Sequence, residues 1–160
     1  MSSSAIDRAC MKAVKRVARA AGGSYFYRSQ VRAEVYRSDN IGPSIAEIRR
    51  SYRALALDDA VIRYIDIAIG RALQAKDDRG LRIYECYSVG HGERRWYRLL
   101  DMHLLDIRRL LRDAKSMKAH LEDRIALYEL VAEEMERLGP EATVAEVYDS
   151  VVDQVYGLTA

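Results

Sequence analysis

The chain has 160 residues, of which 49% are hydrophobic and 31% charged, a balance typical of folded proteins and unlike that of disordered chains. It has no apolar run of about 18 residues, so no transmembrane helix is expected. The net charge of +2 is unevenly divided, because residues 1–100 carry +8 and residues 101–160 carry −6. This asymmetry indicates a basic module that meets a polyanion and an acidic module that does not.

A helix is predicted over residues 4–21, where apolar residues recur with helical spacing on one face. Ser4 is the expected cap, and Gly22-Gly23 ends the helix. The opposite face is basic and carries Arg8, Lys12, Lys15, Arg16 and Arg19. The segment "SYFY", 24–27, suggests a short strand. Ser29 is then expected to cap a short helix with Val31 and Val35 facing inward.

Two helices separated by a tight turn are predicted next. Ser44 and Glu47 form a capping box before a helix that runs to about Ala56. Asp58 or Asp59 caps a second helix over 59–77, whose apolar residues again repeat at helical spacing. Such a pair is a helix-turn-helix candidate, although the same spacing fits any helical bundle.

The stretch "LRIYECYSVGHGERRWYRLL", residues 81–100, predicts a β-hairpin. Aromatic and β-branched residues alternate with polar ones on both sides of a Gly90-His91-Gly92 turn. A lone hairpin is at best marginally stable in water, so one face should pack on the preceding helices. Leu81, Ile83 and Trp96 are the expected contact residues.

The acidic region begins at about residue 101 and continues to the end of the sequence. Neither Gly nor Pro occurs between Gly92 and Gly139, and apolar residues follow a heptad spacing interrupted by Lys118. This pattern predicts one long helix, or two helices if the chain bends around 116–120. Thr143 and Glu146 form a second capping box before a last short amphipathic helix.

The stretch "AVIRYIDIAIGRALQAKDDRGLRIYECYSVGHGERRWYRL", residues 60–99, resembles the winged helix-turn-helix domain of bacterial transcription regulators. In that family a recognition helix ends in a charged-Gly-Leu turn and is followed directly by a hairpin, the wing, with basic residues at its tip. The expected fold is therefore mainly α with one β-hairpin: a winged helix-turn-helix domain over 1–100, then a long C-terminal helix and a short terminal helix over 101–160. The extra helical segment at 29–57 departs from the pattern. We interpret 44–56 as the positioning helix and 59–77 as the recognition helix.

The resemblance implies a sequence-specific regulator that binds double-stranded DNA. Arginines that contact phosphates and guanines supply affinity and specificity in such complexes. The expected DNA-binding residues lie on the two helices and the wing: Arg49, Arg50, Arg53, Arg63, Tyr64, His91, Arg94 and Arg95. For each of these residues the alternative is structural: an exposed charge, a buried tyrosine or a loop histidine.

The resemblance also implies a homodimer, because related regulators often pair through helical tails. An apolar seam on one long helix needs a partner, either the last helix or the same helix of a second chain. The expected dimerisation residues are Leu104, Ile107, Leu111, Leu121, Ile125 and Tyr128.

No phosphate-binding loop, dinucleotide fingerprint or metal-ligand spacing is found, so neither a cofactor, a metal ion nor a catalytic residue is expected. Two alternatives remain open. One is a winged-helix adaptor that binds proteins instead of DNA. The other is a helical ribonuclease of the HEPN class, suggested by Arg98 and His103 in the spacing R-x4-H, which requires both residues on a helix.

Cys10 and Cys86 are the only cysteines. Two cysteines do not make a disulfide framework, and the residues "MSSSAIDRACMKAVKR" lack the apolar core of a secretory signal. We therefore expect a cytosolic protein in which both cysteines are small apolar fillers.

Overall fold

The computed structural model describes residues 2–37, 57–87, 92–117 and 121–156, and for residues 2–5 and 57–61 it describes the backbone only. Over these ranges the chain is mainly helical, with one two-stranded antiparallel hairpin. None of the helices in these ranges is long and apolar enough to cross a membrane. The helices are α1 (Ser2–Ala21), α2 (Arg28–Arg37), α3 (Leu57–Leu73), α4 (Leu104–Met117), α5 (Glu122–Leu138) and α6 (Tyr148–Tyr156), and the strands are β1 (Tyr84–Tyr87) and β2 (Arg95–Arg98).

The first helix follows its predicted pattern closely. Its apolar stripe is buried, with Ile6 and Cys10 fully inaccessible, and two glycines with positive φ follow its last turn. The predicted caps were wrong, because α1 begins at Ser2 and α2 begins at Arg28. Instead of capping α2, Ser29 donates its N–H and its hydroxyl to the Glu93 carboxylate beyond the hairpin loop.

Three helices and one face of the hairpin enclose the first hydrophobic core. Helix α1 packs against α2 and α3, which contribute buried Val31, Val35, Ile65 and Ile69. The predicted strand at "SYFY" is a single β-bridge, in which Phe26 exchanges two backbone hydrogen bonds of 2.9 Å with Trp96. The chain between α1 and α2 therefore lies beside β2.

Helix α3 ends four residues earlier than predicted, at Leu73. The reason is a side-chain turn, because the Asp77 carboxylate accepts hydrogen bonds from the N–H groups of Arg79 and Leu81. Gly80 has a φ of +82° in this turn, a conformation that L-residues with side chains adopt at a cost. The turn leads the chain directly from α3 into the hairpin.

The predicted hairpin is present, but both of its faces are covered. Tyr84 pairs with Arg98 and Tyr87 with Arg95, so β1 starts three residues later than the sequence pattern indicated. Tyr84, Ile83 and Trp96 pack on the first core, and this packing was predicted for Ile83 and Trp96. Tyr87 and Tyr97 lie in a second core formed with the C-terminal helices, and Leu81 packs there too, which corrects its predicted location.

The described residues of 101–138 include two helices, α4 and α5, so the prediction of one long helix was wrong and the alternative of two helices is confirmed. Arg108 pairs with Glu136 at 2.5 Å and Lys115 with Glu129 at 2.9 Å. Because these pairs run in opposite chain directions, α4 and α5 are antiparallel. The apolar seam lies between them and is closed within one chain.

Five of the six expected dimerisation residues belong to or pack against this intramolecular core, and the sixth, Leu121, lines a cleft beside it. Leu104, Ile107, Leu111 and Tyr128 are buried, and Leu121 and Ile125 are half-buried. The capping box at Thr143 is confirmed, since the Thr143 N–H donates to Glu146 at 2.7 Å. It opens a short 3₁₀ turn, Val144–Glu146, and α6 follows with its apolar face on the same core.

Candidate nucleic-acid interface

One face of α3 is exposed along its whole described length. Residues 65, 68, 69, 72 and 73 face the first core, which leaves Arg63, Ile67, Arg71 and Gln74 on the solvent side. Arg63 has no carboxylate partner among the described residues, whereas the Arg71 guanidinium is 3.6 Å from Asp7 on α1. Arg63, the arginine without a carboxylate partner in the described ranges, therefore lies nearer the start of the helix than Arg71.

Helix α2 holds α3 in position through two arginines. Arg32 donates to the Asp66 carboxylate at 2.8 Å, and Arg28 donates to the Asp66 backbone carbonyl. The Arg28 guanidinium lies against Gly70, where an added Cβ would be 3.4 Å from it, in van der Waals contact. These contacts fix the orientation of the exposed face.

Tyr64, predicted to contact DNA, is turned toward the protein. Its ring packs against the first core, and its hydroxyl is buried without a hydrogen-bond partner in the described part of the chain. This geometry agrees with the structural alternative for Tyr64, a buried tyrosine. Of the two residues on this helix that were predicted to contact DNA, only Arg63 is exposed.

The two arginines at the wing lie on opposite sides of the hairpin. Arg94 points toward the Cys86 thiol, with its guanidinium nitrogen 3.6 Å from the sulfur, and it lines the same cleft as Gln74. Arg95 belongs to β2 and lies over the Tyr25 ring, 4.2 Å from its centroid. Side chains on a strand alternate in direction. The structure therefore brings Arg94, and not Arg95, close to the C-terminal end of α3.

Four predicted residues lie outside the described part of the chain: Arg49, Arg50, Arg53 and His91. The predicted positioning helix over 44–56 lies there too.

The basic face of α1 forms a separate surface. Lys15 and Arg19 line a cleft of about 450 Å³ together with Arg98, which pairs with Asp101 at 3.2 Å. This cleft lies where Tyr84 and Arg98 pair, at the end of the hairpin away from its loop. Lys15 and Arg19 therefore line a different cleft from the one that Arg94 lines.

Cys86 sits beside Arg94 but is not activated by it. Burial raises the pKa of the Cys86 thiol above its ordinary value, and the Arg94 hydrogen bond and charge only partly offset that effect. The thiol is therefore protonated at neutral pH and is a poor nucleophile.

Sequence reasoning missed Ile67 and Gln74 as surface residues of α3. Both follow Arg63 on the same helical face, at spacings of four and eleven residues. Extending the stripe of the predicted helix from Arg63 would have identified them. Glu93 was also missed, because its contact with Ser29 joins residues 64 positions apart in sequence.

The pair suggested for a ribonuclease does not share a helix. Arg98 is the last residue of β2, whereas His103 precedes α4 and its Nδ1 is 3.2 Å from the Ala142 carbonyl oxygen. Within the described ranges, no three His, Cys, Asp or Glu side chains are placed to hold a metal ion.

Comparisons of the chain with protein-family models, with curated proteins and with solved structures find no match.

Proposed function

We propose that the protein binds double-stranded DNA sequence-specifically and regulates transcription. The observation that carries this proposal is the exposed face of α3, on which Arg63 and Ile67 lie and which Gln74, the residue directly after the helix, continues. The helix leads into a hairpin that holds a further cation, Arg94, beside its C-terminal end. A helix of this kind fits the major groove, and the adjoining hairpin reaches the phosphate backbone.

The order of elements supports this proposal. The sequence α1, β-bridge, α2, α3, β1, β2, with the bridge paired to β2, is that expected of a winged helix. Helix α2 is bound to α3 through Arg32 and Asp66, and the helix over 44–56 that we interpret as the positioning helix lies outside the described residues. The 19 or so residues between α2 and α3 exceed the tight turn of a simple helix-turn-helix motif.

The side chains on α3 suit base recognition. Arginine pairs with guanine, glutamine with adenine, and an aliphatic side chain contacts the thymine methyl group. Arg63 and Gln74 are eleven residues apart, which is roughly 16 Å along a helix. Successive bases on one strand are about 3.4 Å apart, so the stripe covers about five base pairs.

A homodimer remains part of this proposal, but its interface must differ from the predicted seam. Leu104, Ile107, Leu111 and Tyr128 are buried in a single chain, so they are not available to a second copy. A mass measurement in solution with and without duplex determines the stoichiometry directly.

The test is a selection of bound sites from random duplexes with the full chain, followed by anisotropy titrations over a salt series. We expect one enriched site and steep salt dependence. Arg63→Ala should relax the preference at one base pair, with a loss of about 1–3 kcal/mol. Arg112→Gln, an exposed arginine on α4, is the matched control. Absence of enrichment and of binding at low salt would contradict the proposal.

The adaptor alternative is favoured by one observation. Ile62 and Ile67 on α3 are 43% and 47% exposed, and exposed aliphatic side chains suit a protein surface as well as a thymine methyl. An adaptor would show no enriched site and no salt-dependent binding of duplex in the same experiment.

A further inference from the structure

A second cleft, of about 380 Å³, opens between the two halves of the protein. Its walls come from the end of α3, the start of α2 and the hairpin on one side, and from α4 and α5 on the other. It contains residues from both halves. It shares Gln74 and Arg94 with the proposed DNA-binding surface, but Arg63 and Ile67 lie outside it.

Four arginines from four parts of the chain line this cleft: Arg28, Arg82, Arg94 and Arg124. Only Arg124 is neutralised by a carboxylate partner within the described residues, because it pairs with buried Glu85. Arg28 donates to a neutral carbonyl, and Arg94 donates to a protonated thiol. With Glu85 and Asp113 as the carboxylates of the lining, the cleft keeps an excess of positive charge.

Most of the remaining lining side chains are apolar, with Gln74 and Cys86 beside them. Trp96 comes from the hairpin, and Leu110, Ala114 and Met117 come from successive turns of α4. The Met117 side chain is 56% exposed at the rim, whereas Leu110 is buried at the base. Ligand sites in proteins are cavities of a few hundred Å³ that combine apolar side chains with charged groups, and this cleft has both kinds of lining.

We propose that this cleft binds a small organic anion with an apolar body, a carboxylate or a phosphate monoester carried by an aromatic group. Guanidinium groups bind both anions in a planar, two-pronged geometry. The Trp96 ring and the α4 side chains would contact the apolar body. This proposal does not rest on DNA binding, because the ligand contacts neither Arg63 nor Ile67.

The single tryptophan of the chain makes the test direct. Trp96 lines the cleft and is the only Trp among 160 residues, so its fluorescence, excited where tyrosine does not absorb, reports on this site alone. The probes are 3-phenylpropionate and phenyl phosphate, with neutral 3-phenylpropanol for comparison. We expect a saturable change with at least one anion and a much weaker one with the alcohol. The anion that binds more tightly distinguishes the carboxylate from the phosphate.

The variant Arg82→Gln should weaken anion binding about tenfold or more, the loss expected for one charge-assisted hydrogen bond. Arg112→Gln should bind like the parent protein. Met117→Glu, at an exposed position, places a carboxylate at the rim and should also weaken binding if Arg82→Gln fails to fold. No saturable change up to about 10 mM of either anion would overturn the proposal. Equal binding of the alcohol, or unchanged binding by folded Arg82→Gln and Met117→Glu, would overturn it too.

Discussion

The Tyr128 hydroxyl donates a hydrogen bond of 2.7 Å to the Glu85 carboxylate and thereby joins α5 to β1. Glu85 is 1% exposed, and its second oxygen accepts from Arg124. A buried carboxylate is tolerated only where such donors replace water. The two halves of the chain are therefore connected by a polar contact inside an apolar layer.

Tyr128→Phe should lower the free energy of unfolding by about 1–3 kcal/mol, because it leaves one oxygen of buried Glu85 without its donor. The measurement is urea unfolding followed by circular dichroism at neutral pH. A loss below about 0.5 kcal/mol would show that water or another donor replaces the hydroxyl.

Tyr64→Phe is the matched substitution with the opposite expectation. The Tyr64 hydroxyl is buried and has no hydrogen-bond partner in the described ranges, so its removal relieves an unsatisfied polar group. We expect the free energy of unfolding to stay the same or to rise slightly. A clear loss of stability in the same urea titration would reveal a partner for this hydroxyl.

The sequence predicted these elements better than their contacts. The period of two over 81–98 identified the hairpin, and helical spacing identified α1 and α3, because local patterns reflect which face is buried. The pairing of Glu85 with Arg124 joins residues 39 positions apart, and no local pattern specifies such a contact. The packing of the C-terminal helices on the second face of the hairpin was not predicted, for the same reason.

The apolar seam shows a second limit. Heptad spacing indicates that a helix is covered along one face, but it is the same whether the cover is a second chain or the next helix. The antiparallel arrangement of α4 and α5 decides between these, and neither Gly nor Pro occurs in the sequence between the two helices. Packing of α5 on α4 explains why the predicted dimerisation residues are core residues.

Ile107→Ala should therefore destabilise the single chain. Ile107 is fully buried between α4 and its neighbours, and truncation of such a residue costs about 2–5 kcal/mol. Leu105→Ala, at a position 59% exposed on the same helix, should change stability by less than about 0.5 kcal/mol. Stability measured at several protein concentrations completes the test, because a seam shared by two chains would make the stability of the parent protein itself depend on concentration.

The stability of the protein should fall in alkaline solution. Burial raises the pKa of Cys10 to about 12, with a smaller contribution from Asp7, and burial together with Asp77 raises the pKa of Tyr148 to about 12. Above pH 9 the unfolded chain loses these protons and the folded chain keeps them, so the free energy of unfolding decreases until the folded groups ionise near pH 12.

Tyr148→Phe tests that assignment. The Tyr148 hydroxyl has no hydrogen-bond partner among the described residues, so the variant should match the parent near pH 7. Between pH 10 and 12 its stability should decline less steeply, because one titrating group is gone. Urea midpoints measured over this pH range provide the comparison. Parallel curves for parent and variant would show that Tyr148 does not contribute.

Adjacent Arg94 and Arg95 provide the most selective test of the DNA-binding surface. Arg94 lines a cleft with Gln74, the residue after α3, whereas Arg95 is stacked on Tyr25 on the other side of the hairpin. If Arg94 contacts a phosphate, Arg94→Gln should weaken binding of every duplex and reduce the slope of log K against log salt by about one. Arg95→Gln should leave that slope unchanged.

Anisotropy titrations of the two variants over a salt series measure both slopes under identical conditions. Circular dichroism confirms that each variant is folded, which matters for Arg95 because its stacking contact is lost. Equal effects of the two substitutions would indicate a general charge effect, since both remove one positive charge at neighbouring positions. A larger effect of Arg95→Gln would move the backbone contact to the Tyr25 side of the hairpin and away from α3.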